Sequence, residues 1–130
     1  MKELKDGQHL VVAAKSGSLK AVTDILNVGD NLNLLDVEEA CLAATKKGYK
    51  EIVEAILIAY PHNFIAGKVL IEAVSLNDLA FTGTLLSYHP EWTDCLRAKA
   101  KANELGYTAI ANLISPQAEP PEGLKNFSSN

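Results

Sequence analysis

The sequence predicts an all-α protein built from short helix pairs that repeat along the chain. Apolar residues recur at helical spacing over short stretches, and residues that tolerate a left-handed backbone end those stretches at intervals of 31, 29 and 29 residues. These end positions are Gly17, Gly48, Asn77 and Gly106. Because one short helix pair cannot bury its own apolar face, we expect the pairs to stack side by side.

The first copy, residues 6–36, shows the pattern most clearly. Its first helix is predicted to end at Gly17 and to bury one face made by Leu10, Ala13 and Ala14. The alanines are small enough to let a neighbouring helix pair approach closely. A second helix, predicted to end at Gly29, repeats the spacing with Val22, Ile25 and Leu26. Two short helices and a polar turn therefore form one repeating segment.

The later copies, residues 37–64, 65–92 and 93–114, become less regular. We expect Asp36 to cap the helix that opens the second copy, with Glu39 completing a capping box. In the third copy Asn77 takes the place of the glycine, since Asn is the next most tolerant of a left-handed backbone. After residue 114, three prolines prevent a further copy. We therefore predict a repeat domain over residues 1–114 and a polar tail over residues 115–130.

This pattern resembles the ankyrin repeat. The family pattern runs Leu, Ala, Ala, Gly, Val, Leu, Leu, Gly, Asn and then the Asp of the next repeat. In the first copy those places are held by Leu10, Ala13, Ala14, Gly17, Val22, Ile25, Leu26, Gly29, Asn33 and Asp36. The resemblance covers roughly residues 6–114 and implies a solenoid of about four stacked helix-turn-helix repeats. The Thr-Pro-Leu-His start of the family is absent and the connections are short, so shortened hairpin loops are expected. Another helical-hairpin stack, such as an armadillo-like array, is the alternative.

Composition and charge narrow the classes of partner. The net charge is −4, and Arg97 is the only arginine among twelve basic residues. Nucleic acid is therefore not expected, because phosphate recognition needs a dense positive field. No stretch reaches the roughly 18 apolar residues of a membrane span, and residues 1–6 are charged rather than signal-like. We expect a cytoplasmic protein without membrane contact, although export by a non-classical route stays open.

Cysteine and histidine are too sparse to predict a metal or disulfide site. Cys41 and Cys95 do not make a disulfide framework, and Cys41 occupies the apolar place that Leu10 holds in the first copy. His62 and His89 lie in equivalent loops, which stacking would hold about 10 Å apart. That separation is too large for both to bind one zinc ion. No metal and no cofactor is predicted.

No catalytic motif is recognisable in the sequence. A nucleophile elbow, a P-loop, a dinucleotide glycine fingerprint and a His-Glu-x-x-His motif are all absent. We therefore expect a non-catalytic protein-protein interaction module. An enzyme without a recognisable motif is the less favoured alternative.

The resemblance also implies where a partner would bind. In ankyrin repeats the two places before each stop glycine face the concave surface, which commonly binds partners, and the loop tips extend that surface. The corresponding residues here are Lys15, Ser16, Asn31, Leu34, Leu35, Lys46, Lys47, Ser75, Leu76 and Trp92. Since the strip is basic at one end and apolar elsewhere, an acidic or amphipathic protein segment is the expected ligand of a monomeric chain. An exported microbial effector or inhibitor that binds a host protein is an alternative of the same kind.

Overall fold

The computed structural model describes residues 6–29 and 32–120, and within these ranges the chain is helical without any strand. The all-α prediction is thereby confirmed. The helices are α1 Asp6–Ser16, α2 Leu19–Val28, α3 Leu34–Lys46, α4 Lys50–Ala59, α5 Asn63–Ala73, α6 Leu79–Leu86, α7 Trp92–Leu105 and α8 Thr108–Ile114. Short 3-10 turns follow α5 at Val74–Leu76 and α8 at Ser115–Ala118.

The chain divides into two compact units, which we call unit 1 (Met1–Pro61) and unit 2 (His62–Asn130). In unit 1, α1 contacts α2 and α3, while α4 contacts α2 and α3. Each helix of the first pair therefore packs against its counterpart in the second pair. In unit 2 the same scheme joins α5 to α7 and α6 to α8. The ankyrin-like solenoid of four stacked repeats stays a prediction.

The turns inside the helix pairs are confirmed at the predicted positions. Gly17, Gly48 and Gly106 have φ between 77° and 79°, and Asn77 has φ of 50°, all in the left-handed region. After α1, the Gly17 N–H donates to the Ala14 carbonyl at 3.2 Å and the next N–H donates one residue further back. This Schellman pattern satisfies two carbonyl groups that would otherwise be left at the helix end.

The cores of the two units follow the predicted apolar faces. Leu10, Ala13 and Ala14 are buried on α1. Cys41 is fully buried on α3, as its place in the pattern predicts. On α4, Val53, Ile56 and Leu57 are buried at helical spacing as well. In α2 only Val22 is fully buried, whereas Ile25 and Leu26 on the same face are half-buried.

Two local predictions need correction. Helix α3 begins at Leu34, and its cap is Asn33, whose side-chain oxygen accepts a hydrogen bond from the Leu35 N–H at 2.8 Å. Asp36 is therefore inside the first turn instead of capping it. The predicted polar tail also begins with structure, because Ser115–Ala118 forms a 3-10 turn that contacts α7 and α8 and buries Ala118. Residues 121–130 lie outside the described part of the chain.

Candidate functional site

Four of the predicted binding residues line a single surface depression in unit 1, three of them on α3 and at its C-cap and one on α1. The depression, which we call the α3 groove, has a volume of about 550 Å³. Its lining comprises Lys15, Leu35, Glu38, Glu39, Leu42, Ala43, Lys46 and Lys47. All but Lys15 follow one another at helical spacing on α3 and at its C-cap, and therefore share one side of the helix.

The α3 groove has an apolar centre between charged ends. Leu42 and Ala43 are half-buried in the middle of the groove, and Leu35, about two turns earlier and beyond the glutamates of the groove, is 70% exposed. An exposed leucine beside further apolar side chains is a feature of contact surfaces. Lys46 and Lys47 are exposed at the C-terminal end of α3, where positive charge also suits the helix dipole.

Two glutamates at the other end of the groove were not predicted as binding residues. Glu39 pairs with Lys15 across α1 and α3, with the Lys15 Nζ atom 3.7 Å from a carboxylate oxygen. Glu38 is half-buried, and its Oε1 atom is buried without a hydrogen-bond partner. The spacing of Glu38 and Glu39 from Lys46 and Lys47 on one helix could have indicated them. The predicted strip instead followed the places before each glycine.

The other predicted binding residues do not line this groove. Ser16 ends α1, and its hydroxyl donates to the Ala13 carbonyl at 2.9 Å. Leu34, expected in a turn, is instead the first residue of α3. Asn31 lies outside the described residues.

Three predicted binding residues belong to unit 2. Ser75 is exposed and Leu76 is half-buried in the turn after α5, and Trp92 is half-buried at the start of α7. The structure therefore brings together the unit 1 part of the predicted strip without Ser16, Asn31 and Leu34. The wider strip stays a prediction.

A second depression in unit 1, of about 370 Å³, lies between α2 and α4. It is lined only by uncharged side chains, namely Thr23, Leu26, Asn27, Ala55, Ile58 and Ala59. A surface of this kind offers no charge with which to select a partner. The α3 groove, with both signs of charge beside an apolar centre, is the better candidate.

The cysteines are unsuited to nucleophilic chemistry at neutral pH. Burial raises the pKa of the Cys41 thiol to about 12. Burial, together with the nearby carboxylates of Asp94 and Glu91, raises the pKa of Cys95 to about 11. Since the thiolate is the reactive form, both side chains behave as small core residues in the folded chain.

The described ranges contain neither a cluster of metal ligands nor a membrane-spanning helix. No group of three or more His, Cys, Asp or Glu side chains that could hold a metal ion occurs in residues 6–29 and 32–120. His62 and His89 are both exposed. None of the helices in these ranges combines the length and the apolar character needed to cross a membrane.

Comparison of the chain with protein-family models, with curated proteins and with solved structures gave no match. The resemblance to the ankyrin repeat therefore depends on the residues quoted above. The function must be argued from the α3 groove itself.

Proposed function

We propose that this protein is a non-catalytic interaction module that holds a segment of a partner protein in the α3 groove. The observation that carries the proposal is the exposed apolar centre of the groove between side chains of both charges. Apolar contact supplies affinity, and the flanking charges select the partner and set its register. Leu42 and Ala43 form the apolar centre, Glu38 and Glu39 lie at one end with Leu35 beyond them, and Lys46 and Lys47 lie at the other end.

The shape of the groove supports contact in preference to chemistry. It is an open depression along one helix, whereas catalytic sites enclose their substrates and exclude water. Helix α3 packs against both α1 and α4, and these contacts fix the position of the groove surface. Because such a surface is formed before binding, little conformational entropy is lost on this side of the complex.

The ankyrin resemblance supports the same proposal and extends it. If unit 1 and unit 2 form one solenoid of helix pairs, Ser75, Leu76 and Trp92 would add to the binding surface. These three residues are a secondary part of the proposed surface, because the lining of the α3 groove lies in unit 1 alone.

Capture of a partner by chemical cross-linking tests the proposal. The intact chain is used as bait, and the Lys46→Glu variant is compared with a matched charge reversal at Lys20, which lies on α2 outside the groove and pairs with Asp24. We expect a partner that is recovered with the native chain and with Lys20→Glu and that is lost with Lys46→Glu. Circular dichroism checks that both variants are folded. Equal recovery of every protein with the two variants would overturn the proposal.

A further inference from the structure

The α3 groove has a direction, because its charges are ordered along the helix. Glu38 and Glu39 lie towards the N-terminus of α3, Leu42 occupies the middle, and Lys46 and Lys47 lie at the C-terminal end. Glu38 and Lys47 are nine residues apart, which corresponds to about 14 Å of helix. A ligand that meets both ends must therefore carry opposite charges about two and a half helical turns apart.

The two acidic side chains differ in what they still need. Glu39 already pairs with Lys15 at 3.7 Å. The Glu38 Oε1 atom is buried and has no hydrogen-bond partner. A buried acceptor without a donor is costly, and most such atoms in folded proteins are paired. A ligand donor that reached this atom after rotation of the Glu38 side chain would remove this cost on binding.

The lysines at the other end are open to an anionic group. Lys46 and Lys47 are exposed, and neither forms an ion pair within residues 6–29 and 32–120. A partner carboxylate can therefore approach them without displacing an existing pair. The groove thus has an unfilled acceptor at one end and unpaired cations at the other.

An ordinary amphipathic helix has the complementary order of charges when it runs antiparallel to α3. Acidic residues are favoured in the first turn of a helix and basic residues in the last turn. Antiparallel placement puts that first turn over Lys46 and Lys47 and the last turn over Glu38, and it also opposes the two helix dipoles. An apolar face at positions i, i+3, i+4 and i+7 would then cover Leu42 and Ala43.

We propose that the ligand of the α3 groove is an amphipathic helix of a partner protein that runs antiparallel to α3. Its N-terminal turn presents a carboxylate to Lys46 and Lys47, and its C-terminal turn presents a Lys or Arg to the Glu38 carboxylate. This inference depends on the proposed function and specifies its ligand. A second copy of the chain carries the same charge order on its own α3. The oligomeric state of the intact chain in solution distinguishes that occupant from a partner helix.

A designed peptide tests the chemistry of the acidic end. The probe is a helical peptide of about 15 residues with Glu in its first turn, an apolar stripe, and Lys in its last turn. Its matched control replaces only the Lys with norleucine, which keeps the carbon chain and removes the charge. We expect the control to bind the native chain at least about tenfold more weakly. The difference between the two peptides should shrink on the Glu38→Gln variant, because its neutral amide oxygen accepts a weaker hydrogen bond than a carboxylate does.

Photo-cross-linking from the two ends of the peptide tests the direction. A photoreactive residue in the first turn should cross-link near Lys46 and Lys47, and one in the last turn should cross-link near Leu35 and Glu38. Cross-links in the opposite order, or an equal effect of norleucine on the native chain and on Glu38→Gln, would overturn the inference. The inference is also overturned if the peptide does not bind although capture of a partner by the intact chain still depends on Lys46. That result would leave the proposed function intact. If Lys46→Glu changes neither assay, both fail.

Sedimentation of the intact chain at two concentrations identifies the competing occupant. Monomeric behaviour at both concentrations is expected. Self-association that Lys46→Glu abolishes would show that a second copy occupies the groove, and it would overturn the proposal of a partner helix.

Discussion

Gly7 on α1 and Gly67 on α5 occupy equivalent places in the two units. In each case an aspartate, Asp36 on α3 or Asp94 on α7, occupies the space that a side chain at the glycine would need. A Cβ atom on Gly7 would be 2.8 Å from the Asp36 Cβ atom, and one on Gly67 would be 2.7 Å from the Asp94 Cβ atom. Contacts this short involve the rigid start of the aspartate side chain, which cannot rotate away. The glycines therefore permit α1 to approach α3 and α5 to approach α7.

Gly67→Ala should destabilise the protein, although alanine is the better helix former. Helix propensity favours the substitution by about 1 kcal/mol, whereas displacing the buried Asp94 side chain costs about 1–3 kcal/mol. Gly83→Ala on α6 is the matched control, because the nearest atom to its Cβ would be Leu113 Cδ2 at 3.9 Å. In urea unfolding, Gly83→Ala should raise the unfolding free energy and Gly67→Ala should lower it. Shifts of the same sign would contradict the packing argument.

Two turn glycines separate the effect of backbone conformation from that of side-chain contact. Gly17 and Gly48 both have positive φ. A Cβ on Gly17 would lie 2.9 Å from Tyr49 Cζ, whereas a Cβ on Gly48 would meet nothing within 4 Å. Gly48→Ala should therefore cost only the backbone term, about 1 kcal/mol. Gly17→Ala should cost roughly 1 kcal/mol more, because the tyrosine ring must move.

A Tyr49→Ala background checks this assignment by equilibrium urea unfolding. Removing the ring should reduce the cost of Gly17→Ala to that of Gly48→Ala. If Gly17→Ala and Gly48→Ala cost the same with the tyrosine present, the ring contributes nothing to the requirement for glycine.

At the scale of the helix, α3 shows which sequence signals determine an element and which do not. The end of α3 was predictable because Gly48 must take a left-handed conformation and Lys46 and Lys47 suit a helix C-terminus. The start of α3 was not predictable, because Asn33 and Asp36 are both good capping residues and lie only three positions apart. The extended backbone at Asn33, with φ of −64° and ψ of 125°, selects the first of them.

Asn33→Ala should test the cap of α3 directly. Loss of the hydrogen bond to the Leu35 N–H is expected to lower the unfolding free energy by about 1 kcal/mol. Asn27→Ala is the control, because Asn27 is exposed within α2 and alanine has a higher helix propensity than asparagine. Urea unfolding should show a loss for Asn33→Ala and little change or a small gain for Asn27→Ala. An unchanged midpoint for Asn33→Ala would show that the cap is dispensable.

The lining of the α3 groove could be predicted only in part, for a physical reason. Leu35, Lys46 and Lys47 stand out in sequence because they are apolar or charged beside a turn. Glu38 and Leu42 look like ordinary members of an amphipathic helix, and only burial distinguishes them. The unpaired Glu38 Oε1 atom depends on neighbours that no local pattern specifies.

At the scale of the molecule, the two units repeat one another in their details. Ser18 caps α2 through the Ala21 N–H, and Asp78 caps α6 through the Phe81 N–H. Tyr49 and Tyr107 both follow a left-handed glycine and precede the second helix of a pair. Each unit also buries one free cysteine. The periodicity that revealed the helix pairs did not reveal the pairing of Gly7 with Asp36, because it joins separate helices.

The buried Cys41 thiol makes stability depend on alkaline pH. Its pKa rises from 9.0 to about 12 on folding, so the folded chain keeps a proton that the unfolded chain loses. The resulting stabilisation is fully present below about pH 9 and is lost as the pH rises towards 12. Between pH 8 and pH 10 the native chain should lose about 1 kcal/mol more unfolding free energy than Cys41→Ala. Urea unfolding at each pH measures this difference, with other titrating groups common to both chains. If the unfolding free energy of the two chains fell equally, the Cys41 thiol would ionise in the folded chain and would therefore not be buried on α3.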